Sequence, residues 1–391
     1  MASKFIFFSF KLYFIILFIL NIPLIISSIS FIYPNAVTLK NGNIFVIHRY
    51  GISICDSSYS TIIKNITNFP TNQLISNEDY LSKVAIAQFE DGYIVSVIID
   101  KIYIFNSFGE NVYSRQSLIS GQDLYFTISP SKIVSNKYYY YLIGYIYQES
   151  LYLKYYYYDS QLQNNQQDAY ADGLKDIYYS SNNPDYSRIK NKGLSCQTMT
   201  YYSESLFVCM FYVSFYSYDN SVAIALFKAN NGLINYKYDN KYYVIYYSFD
   251  DIYCIKSSIS DDRSKAFFGL YDRTGVAYII IYYIYPDNIN AYILEEECRI
   301  NYYSLKTYYF PEKEEFAVSC LTKKGNIQIV FINKLFEDTS IYEIFKFNDC
   351  SNIYGYSLIY SINYNKYYII SDAKCQGIYT FEQLIDDIIE E

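Results

Sequence analysis

Histidine and tryptophan are the side chains that this sequence lacks most, with one histidine (His48) and no tryptophan among 391 residues. A hydrolytic triad needs a histidine or an equivalent base, and structural zinc sites use regularly spaced cysteines and histidines. The sequence contains no such spacing and no glycine-rich phosphate loop, and His48 lies inside an apolar segment. We therefore predict that the protein is not an enzyme and binds no cofactor or metal.

Positive charge is also scarce, since 31 lysines and arginines stand against 39 aspartates and glutamates, which gives a net charge of −8. Nucleic acids and anionic lipids attract basic surfaces. We therefore expect neither of them as a partner. Acidic residues do cluster at 295–297 and 312–315, but both clusters fall in predicted turns. Solvated charge is expected there, rather than the carboxylate pair of a glycosidase.

One apolar run approaches the length of a membrane span, at residues 5–26. Lys4 precedes it, Lys11 lies within it, and small residues follow at Ser28 and Ser30. A basic start, an apolar stretch and small residues before a cleavage point are typical of a secretory signal peptide. We predict that residues 1–30 are removed and that the protein is secreted or extracellular. The alternative is an uncleaved signal anchor, which would hold the protein on a membrane.

The eight cysteines are candidates for disulfides, because the secretory pathway is oxidising. One pair brackets a predicted hairpin, and two others each join a cysteine before a Tyr-Ser-Leu segment to a cysteine after the following strand core. The predicted bridges are Cys196–Cys209, Cys298–Cys320 and Cys350–Cys375, whereas Cys55 and Cys254 are expected to remain thiols. Asn65 begins the only acceptor pattern for N-linked glycosylation and is predicted to lie in a loop.

The residue in excess is tyrosine, with 54 copies, and aromatic and β-branched residues favour strands. A short apolar strand core with a small residue inside it recurs seven times, at spacings between 48 and 65 residues. The aligned positions are Ile47, Ser96, Gly144, Cys209, Gly269, Ser319 and Ser371. Asn41-Gly42 and Asp91-Gly92 precede the first two cores and are strong hairpin signals. A strand unit repeated at such intervals is typical of a β-propeller.

We therefore predict an all-β chain that forms a seven-bladed β-propeller over residues 31–376. The alternatives are six or eight blades, or two packed β-sandwiches. Each repeat is predicted to contain three strands, with the small residues on the innermost strands, where neighbouring sheets converge. A strand near residues 33–39 is expected to complete the last sheet and so remove an exposed edge.

Two segments depart from the repeat. Residues 159–193 are rich in asparagine and glutamine and are predicted to be a polar, partly disordered insertion between blades. The acidic tail at residues 377–391 has apolar residues at helical spacing and is predicted to contain a short amphipathic C-terminal helix. The tyrosine clusters are interpreted mainly as packing between sheets.

The strand cores, together with a Cys-x4–5-Tyr-Ser-Leu pattern at residues 298–305 and 350–358, resemble the propeller-type ectodomains of secreted and surface proteins from AT-rich eukaryotic microbes. The resemblance covers residues 31–375 and carries no specific activity or partner with it. We predict a non-enzymatic extracellular binding or adhesion module for a protein or glycan ligand, held by rim loops that include residues 159–193. The alternatives are a secreted propeller glycan hydrolase and a secretory-pathway scaffold or receptor ectodomain.

Overall fold

The computed structural model describes most of the chain between residues 35 and 381. The ranges are 35–58, 61–66, 84–99, 101–115, 125–174, 176–178, 186–201, 204–215, 220–236, 242–245, 252–284, 288–293, 298, 305–311, 313–323, 326–332, 339–346, 355–361, 363, 366–371 and 379–381. Residues 1–30, Cys350 and Cys375 lie outside the described residues. Within these ranges the chain forms strands and turns, and no helix there is long and apolar enough to cross a membrane.

The strands form six sheets in the described part of the chain. The first contains β1 (Asn35–Thr38), β2 (Ile44–His48), β3 (Gly51–Cys55) and β4 (Ile62–Ile66), and the second contains β5 (Val84–Gln88), β6 (Ile94–Ile98), β7 (Lys101–Phe105) and β8 (Asn111–Arg115). The largest contains β9 (Tyr125–Val134), β10 (Tyr138–Tyr147), β11 (Ser150–Asp159), β12 (Asn164–Leu174), β13 (Asp176–Tyr178), β14 (Tyr186–Tyr201), β15 (Glu204–Phe215), β16 (Asn220–Asn230), β17 (Leu233–Tyr236) and β18 (Tyr242–Ile245). The fourth sheet contains β19 (Ile252–Ile259), β20 (Lys265–Asp272), β21 (Ala277–Tyr283) and β22 (Asn288–Ile293). The fifth contains β23 (Leu305–Phe310), β24 (Glu315–Leu321), β25 (Asn326–Ile332) and β26 (Thr339–Lys346). The sixth contains β27 (Tyr356–Ser361), β28 (Lys366–Ser371) and β29 (Tyr379–Phe381).

Each sheet is built from antiparallel meanders, in which strands adjacent in sequence pair with one another. The largest sheet consists of two meanders, β9–β12 and β14–β17, joined through one parallel pair between Tyr170 and Leu233. In addition, β13 pairs with β14, and β18 pairs with β16. Most meanders have a fourth strand, one more than the sequence analysis predicts. We call β1, β5, β9, β14, β19, β23 and β27 the first strands, and β2, β6, β10, β15, β20, β24 and β28 the second strands.

Buried apolar side chains fill the space between each meander and the next. Phe45 of β2, for example, packs in one cluster with Ile94 of β6. Further clusters join the successive meanders along the chain. The last meander packs against the first, because Val46 of β2 shares a cluster with Ile359 and Ile370. The meanders therefore form a closed ring, and the prediction of an all-β, propeller-like chain is confirmed.

The repeat spacing in the sequence corresponds to hydrogen bonds between neighbouring first strands. Gln88 Nε2 donates to the carbonyl oxygen of Thr38 at 2.6 Å, across 50 residues. The Ser258 hydroxyl donates to the carbonyl oxygen of Tyr308 at 3.3 Å, and the Tyr308 hydroxyl in turn accepts the amide hydrogen of Leu358 at 3.0 Å, each again across 50 residues. A period of about 50 residues is thus the distance along the chain from one meander to the next.

The aligned small residues lie on the second strands, which corrects the prediction that they line the innermost strands. A Cβ atom added to Gly269 would lie 3.0 Å from Thr307 Cγ2, and one added to Gly144 would lie 3.2 Å from Cys196 Sγ. The Ser319 hydroxyl lies 2.7 Å from the Tyr356 hydroxyl. At these positions a small residue makes room for a side chain from the first strand of the next meander.

The predicted insertion at residues 159–193 is mostly strand, because β12, β13 and the start of β14 lie within it. Its first half has the alternation that a strand requires, since Ala169 and Ala171 are buried while Asp168 and Tyr170 are exposed. The polar composition of this segment reflects an outer strand with one solvated face. Composition alone therefore gave the wrong prediction here.

At the C-terminal end of the ring, β29 pairs with β28, and residues 382–391, where most of the C-terminal helix is predicted, lie outside the described residues. The N-terminal end differs from the prediction. β1 pairs with β2 and does not complete the last sheet. It contacts that sheet through the Thr38 hydroxyl, which donates to the Tyr360 carbonyl oxygen at 3.1 Å. Side chains, rather than a shared sheet, close the ring.

Candidate functional site: the central cavity

The first strands surround a central cavity of about 660 Å³. Every first strand contributes to its wall, and so do the turns that follow β1, β5, β19 and β23. Small-molecule sites commonly measure a few hundred to about 1,000 Å³ and combine apolar walls with a few convergent polar groups. The size and position of this cavity therefore make it the strongest candidate site in the described part of the chain.

A hydrogen-bonded row of polar side chains runs from β9 to β19, and three of its members, Ser195, Gln197 and Ser257, line the cavity, whereas Ser129 is buried beside it. The Ser129 hydroxyl donates to Gln197 Oε1 at 2.8 Å, and Gln197 Nε2 donates to the Ser257 hydroxyl at 3.0 Å. The Ser257 hydroxyl also lies 2.6 Å from the Ser195 hydroxyl. Because these groups hold one another, their orientation is set before any ligand enters.

Arg263 lies in the turn after β19 and joins three meanders at one end of the cavity. Its Nη1 donates to the Thr198 hydroxyl at 2.7 Å and to the carbonyl oxygen of Pro130. Burial lowers the pKa of the guanidinium, and the negative charge of Glu90 opposes that effect. The backbone of Arg263 has a φ of 55°, in the left-handed region, so the turn holds this side chain at some conformational cost.

The charged residues of the wall occupy two levels. The acidic side chains Glu90, Asp91 and Asp261 lie in the turns after first strands. Lys256 and Lys306 lie within the first strands β19 and β23. The end of the cavity that is formed by the turns thus carries charges of both signs, because Arg263 also lies there. The part of the wall that is formed by the strands themselves, which we call the strand level, carries positive charge.

His48, the only histidine, hydrogen-bonds to a serine but is not arranged as a catalytic base. Its Nε2 lies 2.9 Å from the Ser53 hydroxyl, and its Nδ1 accepts the amide hydrogen of Tyr50 at 3.2 Å. Since Nδ1 accepts, the neutral ring carries its proton on Nε2 and donates it to Ser53, whose hydroxyl donates to Asn65 Oδ1 at 3.2 Å. A triad histidine must instead accept the serine proton at Nε2. Burial lowers the pKa of His48 to about 4.

Two of the predicted disulfides are present in the described residues. Cys196 and Cys209 face one another directly across β14 and β15, with a Cα–Cα distance of 4.1 Å, just below the usual range of about 4.4–6.8 Å. Cys298 is bonded to Cys320. The predicted Cys350–Cys375 bridge lies outside the described residues.

The two cysteines expected to remain thiols, Cys55 and Cys254, are buried thiols in the structure. Burial raises the pKa of Cys55 to about 12, with a smaller contribution from the negative charge of Asp56. Such a thiol forms little thiolate and is inert at neutral pH. Asn65 lies in the exposed edge strand β4, rather than in the predicted loop.

Most of the largest buried side chains are tyrosines, which agrees with their interpretation as packing residues. Those with almost no exposed surface are Tyr141, Tyr145, Tyr158, Tyr212, Tyr271, Tyr282, Tyr356 and Tyr367.

Among the described residues no cluster of histidine, cysteine, aspartate and glutamate could hold a metal ion. The predicted site residues therefore do not form one site, and the sequence analysis missed the polar row, Arg263 and the two lysines.

A signal for the lysines does exist in the sequence. Lys256 pairs with Gly269, and Lys306 pairs with Ser319, so both lysines lie directly opposite the aligned small residues. They are 50 residues apart, as are those partners. Aligning the first strands as well as the strand cores would have placed the two lysines at equivalent positions.

No protein-family model matches the chain, and no curated protein matches it. The chain is similar in structure to the BP39L lectin from Burkholderia pseudomallei, with 10% identity and a TM-score of 0.52 over 90% of this chain and 96% of that chain. The WD40 domain of SCAP from fission yeast has 8% identity and a TM-score of 0.43, over 90% of this chain and 74% of that chain. The SapL1 lectin, solved with alpha methyl fucoside, has 9% identity and a TM-score of 0.43, over 82% and 97%. At such identities the likeness to BP39L concerns the fold alone.

Proposed function

We propose that the protein is a non-enzymatic extracellular binding module, built as a seven-bladed β-propeller whose central cavity holds the ligand. The observation that carries this proposal is the central cavity of about 660 Å³, whose wall includes residues from every first strand. Ser195, Gln197 and Ser257, which are already hydrogen-bonded to one another, lie in that wall. A cavity with orienting polar groups suits binding without requiring chemistry.

The blade count is supported by the way in which the meanders pack. Each of the seven first strands begins one meander, and apolar clusters lie between each meander and the next. The last cluster joins the final meander to the first. Two β-sandwiches would leave no reason for this closing cluster or for the shared cavity.

The extracellular setting is supported by two independent features. Residues 1–30 have the pattern of a signal peptide. Cys196–Cys209 and Cys298–Cys320 are disulfides, which persist in oxidising compartments. The fold that the chain shares with the BP39L lectin is compatible with ligand binding but does not name the ligand.

The site differs from the rim loops that the sequence suggests. The described, exposed part of this segment is the outer strand β12, whereas the polar row and the two lysines lie on first strands around the cavity. We therefore assign the ligand to the cavity rather than to this segment.

Screening residues 31–391 on glycan and protein arrays, beside a panel of hydrolase substrates, tests the proposal. Asp261→Trp places a large ring at the cavity mouth, at an exposed turn position where folding should tolerate it. Asp168→Trp is the matched control, because Asp168 is an exposed acid on the outer strand β12. We expect array binding that Asp261→Trp abolishes and Asp168→Trp retains.

Two results would overturn the proposal. If Asp168→Trp abolished binding and Asp261→Trp did not, the ligand site would belong to the 159–193 segment. Turnover on the hydrolase panel that disappeared when a single carboxylate was replaced would show an enzyme. Circular dichroism and thermal unfolding of each variant establish that the variant is folded.

A further inference from the structure

We propose that the cavity binds an acidic sugar, whose carboxylate is held by Lys256 and Lys306 and whose hydroxyl groups meet Ser195, Gln197 and Ser257 of the polar row. This inference rests on the proposed function, because it names the class of ligand for the same cavity. It goes further in assigning individual side chains to the two chemical parts of that ligand.

The two lysines occupy equivalent places on neighbouring first strands. Each lies opposite an aligned small residue, Lys256 opposite Gly269 and Lys306 opposite Ser319. Both also act on the same neighbour: burial raises the pKa of the Cys254 thiol, and the positive charges of Lys256 and Lys306 oppose that rise. The strands that carry them also approach one another at this level, since Ser258 Oγ lies 3.3 Å from the carbonyl oxygen of Tyr308, two residues beyond Lys256 and Lys306 respectively. One carboxylate placed between the two strands in the cavity can therefore meet both ammonium groups.

The position of these lysines is unusual for this protein. The chain as a whole carries a net charge of −8, and the described acidic residues of the cavity wall lie in turns rather than at the level of the lysines. Lys306 Nζ also lies 5.7 Å from the centre of the Tyr356 ring, which favours the charged ammonium. An anion that enters the cavity therefore meets its favourable electrostatic potential at the strand level.

The rest of the wall favours a polyhydroxylated ligand over a simple anion. Serine hydroxyls both donate and accept hydrogen bonds, and an amide side chain does the same through two different atoms. Vicinal sugar hydroxyls need partners of both kinds at fixed spacing, and Ser195, Gln197 and Ser257 supply them in the wall of the same cavity that Lys256 and Lys306 line. Phe126 and Phe310, which also line the cavity, provide apolar faces for the C–H side of a sugar ring.

Isothermal titration with two matched oligosaccharides tests the inference. One ends in glucuronate and the other in glucose, so that the ligands differ only in the carboxylate. We expect the wild-type protein to bind the glucuronate-terminated ligand at least tenfold more tightly, with an affinity that falls as salt increases. Lys256→Met and Lys306→Met should each lower that affinity at least tenfold, whereas Lys256→Arg should retain most of it. Lys64→Met, at an exposed position on β4, is the control and should change nothing.

The outcomes separate this inference from the proposed function. One outcome would support the cavity as the site but show that the acidic-sugar assignment is wrong. In that outcome the protein binds glycans, Asp261→Trp abolishes this binding, and the glucuronate-terminated and glucose-terminated ligands bind with equal affinity to the wild type and to the lysine variants. If array hits bind with no effect of Asp261→Trp, both proposals fail. Preference for inorganic phosphate over the glucuronate-terminated ligand would also overturn the assignment. The wild-type comparison of the two ligands holds even if a lysine variant does not fold.

Discussion

The stability of this protein should fall between pH 7 and pH 5 because of a single side chain. His48 is buried, and burial lowers its pKa from 6.5 to about 4 in the folded protein. In the unfolded chain the imidazole is in water and returns to its ordinary pKa near 6.5. Between these two values the unfolded chain takes up a proton that the folded chain does not. The contribution of neutral His48 is therefore fully present above pH 6.5 and is lost as pH falls through 6.5 towards 4.

The size of the effect follows from the two pKa values. The whole difference corresponds to about 3 kcal/mol, reached below pH 4, because each pKa unit equals about 1.4 kcal/mol. Between pH 7 and pH 5 the loss amounts to about 2 kcal/mol. That is a large share of a typical free energy of unfolding, so it should be visible in an ordinary denaturation experiment.

Urea unfolding at several pH values between 7 and 5 measures this loss. His48→Gln is the control, because it keeps an N–H group to donate to Ser53 but removes the titrating ring. Since His48 is the only histidine, carboxylates and every other group titrate alike in both proteins. We expect the wild type to lose about 2 kcal/mol more than the variant over this interval.

Nuclear magnetic resonance of the single imidazole gives a second, direct reading. Its resonances should titrate with a midpoint near pH 4 in the folded protein. A midpoint near 6.5, or equal pH slopes for wild type and His48→Gln, would refute the reasoning, because His48 would then be as accessible to protons in the folded chain as in the unfolded one.

Three further predictions concern the ring and its covalent features. Replacing Cys196 and Cys209 together by alanine should lower the free energy of unfolding by about 3 kcal/mol, since their bridge closes a loop of about 14 residues; denaturant melts under non-reducing conditions measure it. Gly269→Ala should cost about 1–3 kcal/mol by the same measurement, because the added Cβ would lie 3.0 Å from a methyl group of the next meander. N-terminal sequencing and mass spectrometry of the secreted protein should find residues 1–30 removed and Asn65 carrying a glycan, which Asn65→Gln removes.

Each of these predictions has a matched control. Reduction should destabilise the wild type by at least as much as the double cysteine substitution does, because it also opens Cys298–Cys320. An unchanged melt of the double variant would show that the Cys196–Cys209 bridge does not constrain the unfolded chain. Adding Thr307→Ser to Gly269→Ala removes the methyl group at fault and should recover part of the stability. If it does not, the close approach at Gly269 is not the cause. An intact N-terminus on a membrane-bound protein would favour the signal anchor.

Sequence reasoning succeeded where structure depends on residues close together in the chain. Asn41-Gly42 and Asp91-Gly92 were predicted as hairpin turns, and Gly42 and Gly92 have φ values of 84° and 92°, which suit such turns. The predicted strand cores coincide with the second strands of the meanders. The Cys196–Cys209 pair was predicted from the hairpin that the two residues bracket, and they face one another across β14 and β15.

The same reasoning failed where several strands had to be positioned together. Residues 159–193 were judged by composition, although the alternation of Ala169 and Ala171 with exposed neighbours already indicated a strand. The small residues were assigned to the innermost strands, whereas Gly269 and Ser319 lie on second strands, opposite residues that line the cavity. The candidate site escaped notice because its lysines and serines are ordinary strand residues until the ring brings them together.

The sequence by itself determined the strand class, the repeat period and the hairpin pairings of this protein. These follow from alternation, turn chemistry and spacing, all of which act over a few residues or recur at a regular interval. Only the tertiary structure decided which strand faces the centre, how the ring closes and which polar groups share the cavity. Those features depend on side chains about 50 or more residues apart, such as Val46 and Ile370 or Lys256 and Lys306. Their proximity is a consequence of packing whole meanders against one another, and no local pattern encodes it.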